Sequence, residues 1–171
     1  MITQHLIAID TVDAQLETVQ TEIDRRMVPF ARELAALLKA DVASIYLLDP
    51  HTHELSLHSP SIWGVPPEQQ RRVPRIEVNE AQLRRTTVSG TQRPFISGRL
   101  SADERVSPAY RDILEAIIVE SCIIVPLMAR ERSVGELMLG SRKADFFNTY
   151  DLQALSTAAG LLAAAVEGAG L

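Results

Sequence analysis

The 171-residue chain contains one cysteine, Cys122, and one tryptophan, Trp63. A single thiol excludes an internal disulfide framework and any site built from cysteine pairs, and it suits a reducing compartment. No run of about 18 apolar residues occurs, so nothing reads as a membrane span. Met1 to Asp10 lacks both a basic start and an apolar run long enough for a signal peptide. The expected setting is the cytoplasm. Also missing are a glycine-rich phosphate loop ending in Lys-Ser/Thr, a Gly-x-Gly-x-x-Gly turn after a strand, and a Gly-x-Ser-x-Gly nucleophile elbow. His51 and His53 stand two apart, with only Asp49 and Glu54 near them, too thin a set for a metal site. No two carboxylates show a spacing that suggests matched acid and base roles. The sequence makes no positive case for catalysis, for a metal or for a cofactor.

What is present is an ordinary globular balance, 46% hydrophobic and 23% charged. The formal net charge of −5 works against nucleic acid as a partner, because that binding rests on neutralising phosphates. The charge is uneven. The stretch from Arg71 to Asp112 carries +4 and the remainder −9. That leaves two readings open, an anionic ligand or acidic partner near the middle segment, or ordinary solvated arginines.

Ile2, Ile9, Leu16, Ile23, Phe30 and Leu37 recur every seven residues, with a companion seam through Val12, Val19, Met27 and Leu34. The pattern predicts a long amphipathic N-terminal helix, either folded back on its own domain or paired with a second chain as in a coiled coil. Pro29 marks a kink or the first turn of a new helix. We therefore divide the chain into an N-terminal signalling or dimerisation helix, 1–28, a domain, 29–168, and a tail, 169–171.

Ala43 to Asp49 is a short run of strand formers, Pro50 to His53 a turn, and Glu54 to Ser59 an alternating strand that pairs back as a hairpin. Ser61 to Arg75 is irregular. Arg75 to Val78 reads as a short strand, and Asn79 caps a helix running to a stop at Gly90. Arg93 to Ser97 is extended. Ser107-Pro108 opens a helix whose apolar face holds Tyr110, Ile113, Leu114, Ile117 and Ile118. Ser121 to Met128 and Ser133 to Leu139 form a second hairpin, and a helix from about Thr149 closes the chain. Hairpins flanked by helices give an α+β fold: a twisted antiparallel β-sheet with the N- and C-terminal helices packed on one face. Ile45, Leu47, Ile123, Val125, Leu137 and Leu139 cannot all stay wet, so the middle segment must cover the other face.

Several pieces in this order resemble the GAF family of sensory domains. They are Ala43 to Asp49 with its Glu54 partner strand, Gly90 to Ile96, Ser101 to Arg105 and Ser121 to Leu127. Val134-Gly-Glu-Leu-Met-Leu139 and Phe147-Asn-Thr-Tyr-Asp-Leu152 follow, before the alanine-rich last helix. The resemblance spans roughly Pro29 to Glu167 and implies a loop and helix segment covering a ligand pocket on the sheet face opposite the terminal helices, as in GAF and PAS-like domains. Where cyclic-nucleotide-binding members carry Asn-Lys and a later Glu, this chain has Ser141-Arg142 and Leu152. The methionine sulfoxide reductases of the fold use several cysteines, and bilin-bearing members attach their chromophore through cysteine elsewhere than the Cys122 strand. No histidine lies in the middle segment after His58.

The resemblance implies a regulatory module of a bacterial-type signalling protein, such as a histidine kinase, a cyclase or phosphodiesterase, or a transcriptional regulator. It would read an unidentified small molecule, dimerise through its terminal helices and act on an output domain. Trp63, Phe95 and Tyr110 are the candidate apolar or stacking walls; Arg99, Asp103, Ser121 and Cys122 are the polar candidates. Core packing is an equal reading for each, and Cys122 reads first as a small buried hydrophobe. The alternative is a structural dimerisation module whose pocket is filled by its own side chains.

Overall fold

A computed structural model describes residues 25–49, 51–52, 54–71, 76–77, 88–106, 111 and 115–168. The seam upstream of Arg25, the coiled-coil pairing it suggests, the capped helix from Asn79, Tyr110 and the 169–171 tail lie outside the described residues. Helix α1, 25–37, runs through Pro29, whose ring lies on the exposed side. Met27, upstream of the 28/29 division, is fully buried in the core. Leu37 continues the seven-residue pattern in sequence yet is 72% exposed. A left-handed Lys39 (φ 56°) ends the helix, and the Ala40 N–H closes back on the Ala35 carbonyl at 2.8 Å.

The strands are β1 (Val42–Leu48), β2 (Glu54–Leu57), β3 (Ile76–Glu77), β4 (Phe95–Ser97), β5 (Ser121–Ala129) and β6 (Arg132–Ser141). They form one antiparallel sheet in the order β3-β2-β1-β6-β5-β4. The two hairpins therefore meet along β1 and β6, where Ile45 stands opposite Leu137. In the first turn the Asp49 carboxylate accepts the N–H groups of His51 (2.7 Å) and Thr52 (3.1 Å), which folds the chain back into β2. The second turn is Arg130-Glu131, both left-handed (φ 52° and 64°), as a two-residue hairpin requires.

Short helices α2 (Pro67–Gln70) and α3 (Val88–Thr91) lie between the hairpins, and α4 (Thr149–Gly168) closes the fold. The stop expected at Gly90 falls later. Helix α3 continues through Thr91, and the left-handed residue is Gln92 (φ 57°), whose N–H bonds the Val88 carbonyl at 2.8 Å. At the start of α4, Asn148 and Asp151 cap each other: Asn148 Oδ1 accepts the Asp151 N–H at 3.0 Å, and Asp151 Oδ2 accepts the Asn148 N–H at 2.9 Å. This reciprocal cap is the physical content of the Phe147-to-Leu152 motif.

Alternation along each strand sends side chains to two separate cores. On one face Ile45, Ile123 and Leu137 pack against Met27 of α1 and against Leu155 and Leu162 of α4. On the other face Val42, Tyr46, Cys122, Ile124 and Met138 are covered by Val65, Val88, Leu100, Val106, Ile117 and Val119 from the segment between the hairpins. Both sheet faces are dry, and the irregular middle of the chain supplies the second cover. The six residues expected to need it, Ile45, Leu47, Ile123, Val125, Leu137 and Leu139, instead all lie on the helix-covered face, because they share one phase of the strand alternation. Ile118 does not share the buried helical face expected of it: it is 59% exposed with φ 53°, because the turn after Glu115 ends there in a left-handed residue, while Ile117 beside it is buried.

Candidate functional site

The sheet ladder continues past β6 into the covering segment. The Glu120 N–H donates to the Ser141 carbonyl and the Leu100 N–H to the Glu120 carbonyl, each at 2.8 Å. These bonds place Leu100 and Val119 beside the end of β6. Gly140 permits the approach, since a Cβ there would lie 2.7 Å from Val119 Cγ1. Past the strand end, the Arg142 N–H donates to Asp41 Oδ2 at 2.7 Å, and Ser121 Oγ donates to the Lys143 carbonyl at 2.6 Å. The backbone around Arg142 is thus fixed from both flanking strands.

A cavity of about 420 Å³ opens at this end of the sheet. Its apolar wall comes from Leu100, Val106, Ile118 and Val119, and its polar groups from Ser101, Arg111, Glu115, Glu120 and Arg142. Leu100, Val106 and Val119 are also members of the second core, so the cavity is continuous with the layer that covers the sheet. Its volume falls within the roughly 300–1,000 Å³ typical of small-molecule sites. Ser101 Oγ donates to Glu120 Oε1 at 2.9 Å, tying down one of the two carboxylates.

Of the residues singled out in sequence, Phe95, Asp103 and Cys122 come together next to this cavity, around a clasp closed by Arg105. Asp103 receives Ser97 Oγ at 2.6 Å, and Arg105 grips it with Nη2 at 2.7 Å and Nε at 3.0 Å. The same guanidinium donates to the Ile96 carbonyl at 2.9 Å and lies 5.1 Å from the Phe95 ring centroid. Arg105, then Ser97, hold the Asp103 carboxyl well below the usual carboxylate range. With its oxygens used in this way, the pair fastens the 99–106 loop onto β4. Cys122 stands opposite Ser97 in the ladder and is fully buried. Burial first, and the Asp103 charge second, push its thiol up to about 12.

The other candidates lie apart. Trp63 bridges to Ala43 at the edge of β1, with the Arg32 guanidinium of α1 5.0 Å from its ring, which sets it on the terminal-helix side. Arg99 is exposed and pairs with Asp145 at 3.4 Å. Ser121 serves the backbone bond to Lys143. Arg111, Glu115 and Arg142 were not singled out as site residues; only the excess of positive charge between Arg71 and Asp112 pointed toward Arg111.

Deeper on the same face, Tyr46 Oη and Ser44 Oγ are buried and make no hydrogen bond among the described residues. Tyr46 stands opposite Glu136, whose Oε1 accepts the Ser89 N–H at 2.8 Å and so anchors α3 to β6. Burial, and then the Glu136 charge, raise the Tyr46 phenol above its ordinary value, so it stays a neutral donor. No group of three or more His, Cys, Asp or Glu among the described residues is placed to hold a metal. No helix among them is long and apolar enough to cross a membrane.

This arrangement has solved counterparts. The GAF domain of the cyanobacteriochrome TePixJ superposes with a TM-score of 0.71 at 12% identity, covering 85% of this chain and 89% of that one. The GAF domain of a phosphoenolpyruvate-protein phosphotransferase from Coxiella burnetii gives 0.70 at 17%, covering 91% and 92%. Free methionine-R-sulfoxide reductase from Neisseria meningitidis, in complex with its substrate, gives 0.66 at 18%, covering 86% and 79%. No curated protein matches the sequence. The family model for the GAF domain matches residues 21–167, the span that contains both hairpins, the covering segment and both helices of the first core. The chain belongs to the GAF domain family.

Proposed function

We propose that this GAF domain is a non-catalytic sensory module of a bacterial-type, cytoplasmic signal-transduction protein. It reads a small molecule and works on an output domain through its terminal helices, which also join two copies. The observation that carries this reading is the cavity of about 420 Å³ between the sheet end and its covering segment. Strands β5 and β6 present one set of residues to that side and the alternate set to the helices. Cys122 and Met138 face the cover, while Ile123 and Leu139 belong to the core that holds α4. A ligand that favours one position of the Val119–Cys122 strand entry biases the helix layer by its differential affinity for the two arrangements.

The non-catalytic part of the reading draws support from Cys122. A buried thiol pushed up to about 12 supplies almost no thiolate near neutral pH, and the thiolate is the reactive form. The dimer reading draws support from α4, where Tyr150, Ala154, Thr157 and Leu161 form an uncharged stripe on the exposed side at steps of four, three and four. Tyr150 is 79% and Leu161 69% exposed. The same stripe favours the second reading, a dimerisation module without a ligand.

A melting-temperature screen of metabolites against the chain and against Val106→Trp separates the two. A sensor predicts compounds that raise the melting temperature of the natural chain alone, by an amount equivalent to about 2.7 kcal/mol at a hundred times the Kd. A screen in which no compound distinguishes the two proteins contradicts it and leaves the dimerisation module.

A further inference from the structure

We propose that the cavity at the end of β5 and β6 takes a small organic monoanion, an apolar body bearing one carboxylate, with Arg111 and Arg142 as its anion-binding residues. This rests on the reading of the cavity as a ligand site and specifies what enters it.

The arginines of this domain differ in what they meet. Arg105 and Arg99 each meet a carboxylate, Asp103 and Asp145, and Arg130 meets Glu167 at 2.8 Å. Arg111 and Arg142, the two that line the cavity, have no carboxylate within ion-pair distance among the described residues. Each makes one long side-chain bond to a carbonyl, Arg111 Nη2 to Val106 at 3.5 Å and Arg142 Nη2 to Gly64 at 3.4 Å. A guanidinium carries five N–H donors in a planar fork, so most of their donor capacity remains available. Arg142 is exposed, but its backbone is fixed by Asp41 and its side chain reaches back over the cavity rim to Gly64, while Arg111 is half-buried in the wall.

The remaining lining sets the rest of the ligand. Leu100, Val106 and Val119 are buried apolar groups and call for a hydrocarbon body. Glu115 and Glu120 line the same cavity, so the formal charges of the wall cancel. A dianion would be repelled by both carboxylates. A single carboxylate directed at the arginines meets their fork in the planar, two-bond geometry for which arginine is suited.

Calorimetric titration of the intact chain with benzoate and hexanoate, with the uncharged benzamide and hexanamide, and with phenyl phosphate tests this. The carboxylates are expected to bind about tenfold or more tightly than their amides, a difference of about 1.4 kcal/mol. The gap should narrow as salt is raised. Arg111→Gln and Arg142→Gln should each weaken carboxylate binding by about tenfold and leave amide binding unchanged. Arg99→Gln, outside the cavity, should change neither. Equal binding of acid and amide, or unaltered carboxylate binding in both cavity variants, overturns the anion assignment. In that case amide binding that Val106→Trp abolishes would leave the ligand cavity itself standing. Tighter binding of phenyl phosphate than of benzoate overturns the single-charge assignment, and silence from all five probes overturns the proposal.

Discussion

Cys122 and Tyr46 make the second core sensitive to alkali. The Cys122 thiol has an ordinary value of 9.0 and is pushed up to about 12 by burial, so the folded chain holds that proton more tightly than the unfolded one. The associated stability is fully present below about pH 9 and is lost as pH rises toward 12. Tyr46 acts in the same direction above its ordinary value of 10.0. The melting temperature should fall steadily above about pH 9, and Cys122→Ala should show a shallower fall over the same range. An unchanged slope would remove Cys122 from the account. Ile118 offers a second test. A β-branched residue in the left-handed region (φ 53°) costs about 1–2 kcal/mol, and at 59% exposure little burial compensates. Ile118→Gly should stabilise by about 1 kcal/mol after glycine's own entropy cost, read as a higher urea midpoint. Nothing in the apolar spacing of residues 110–118 foretold this, because periodicity reports which positions would be buried in an uninterrupted helix and not where the helix stops.

Strand β6 and helix α4 carry the site and the proposed output. Gly140 leaves space that Val119 fills, so Gly140→Ala drives a Cβ to 2.7 Å from Val119 Cγ1. Overpacking of this kind costs about 1–3 kcal/mol, and the displaced group is a cavity wall. The variant should lose stability by that amount, and any compound found in the metabolite screen should bind it more weakly. A variant that binds as the natural chain does would separate Val119 from the site. On α4, Leu161→Glu places a charge in the uncharged outer stripe. Light scattering should show the dimer dissociating to a mass near 18.9 kDa. A dimer unaffected by the change, or a monomeric natural chain, would contradict helix-mediated pairing. These elements were readable beforehand for clear reasons. Two apolar runs around a turn, Ser121 to Met128 and Ser133 to Leu139, marked β5 and β6, and the Phe147-to-Leu152 motif stood at the start of α4. Helix α3 was different: its stop falls at Gln92 rather than Gly90, because a tertiary tie from Ser89 to Glu136 holds it instead of glycine's freedom.

The layering of the molecule followed from the sequence by a simple requirement: two hairpins in one sheet have two apolar faces, and only the terminal helices and the middle segment remain to cover them. The site followed less well. Phe95, Asp103 and Cys122 do converge, but around the Arg105 clasp, whose hydrogen bonds are internal. Arg111 and Arg142 are brought to one cavity by a return across the sheet end that no local pattern encodes. The covering segment is thus part clasp and part cavity wall, and ligand occupancy at that wall is the claim on which the sensory reading depends. Native mass spectrometry of the chain after incubation with a low-molecular-weight cell extract tests it most directly. The expected result is a species heavier than the bare 18.9 kDa chain by a small-molecule increment, absent from Val106→Trp. The bare mass for both proteins, or the same increment in both, would contradict it.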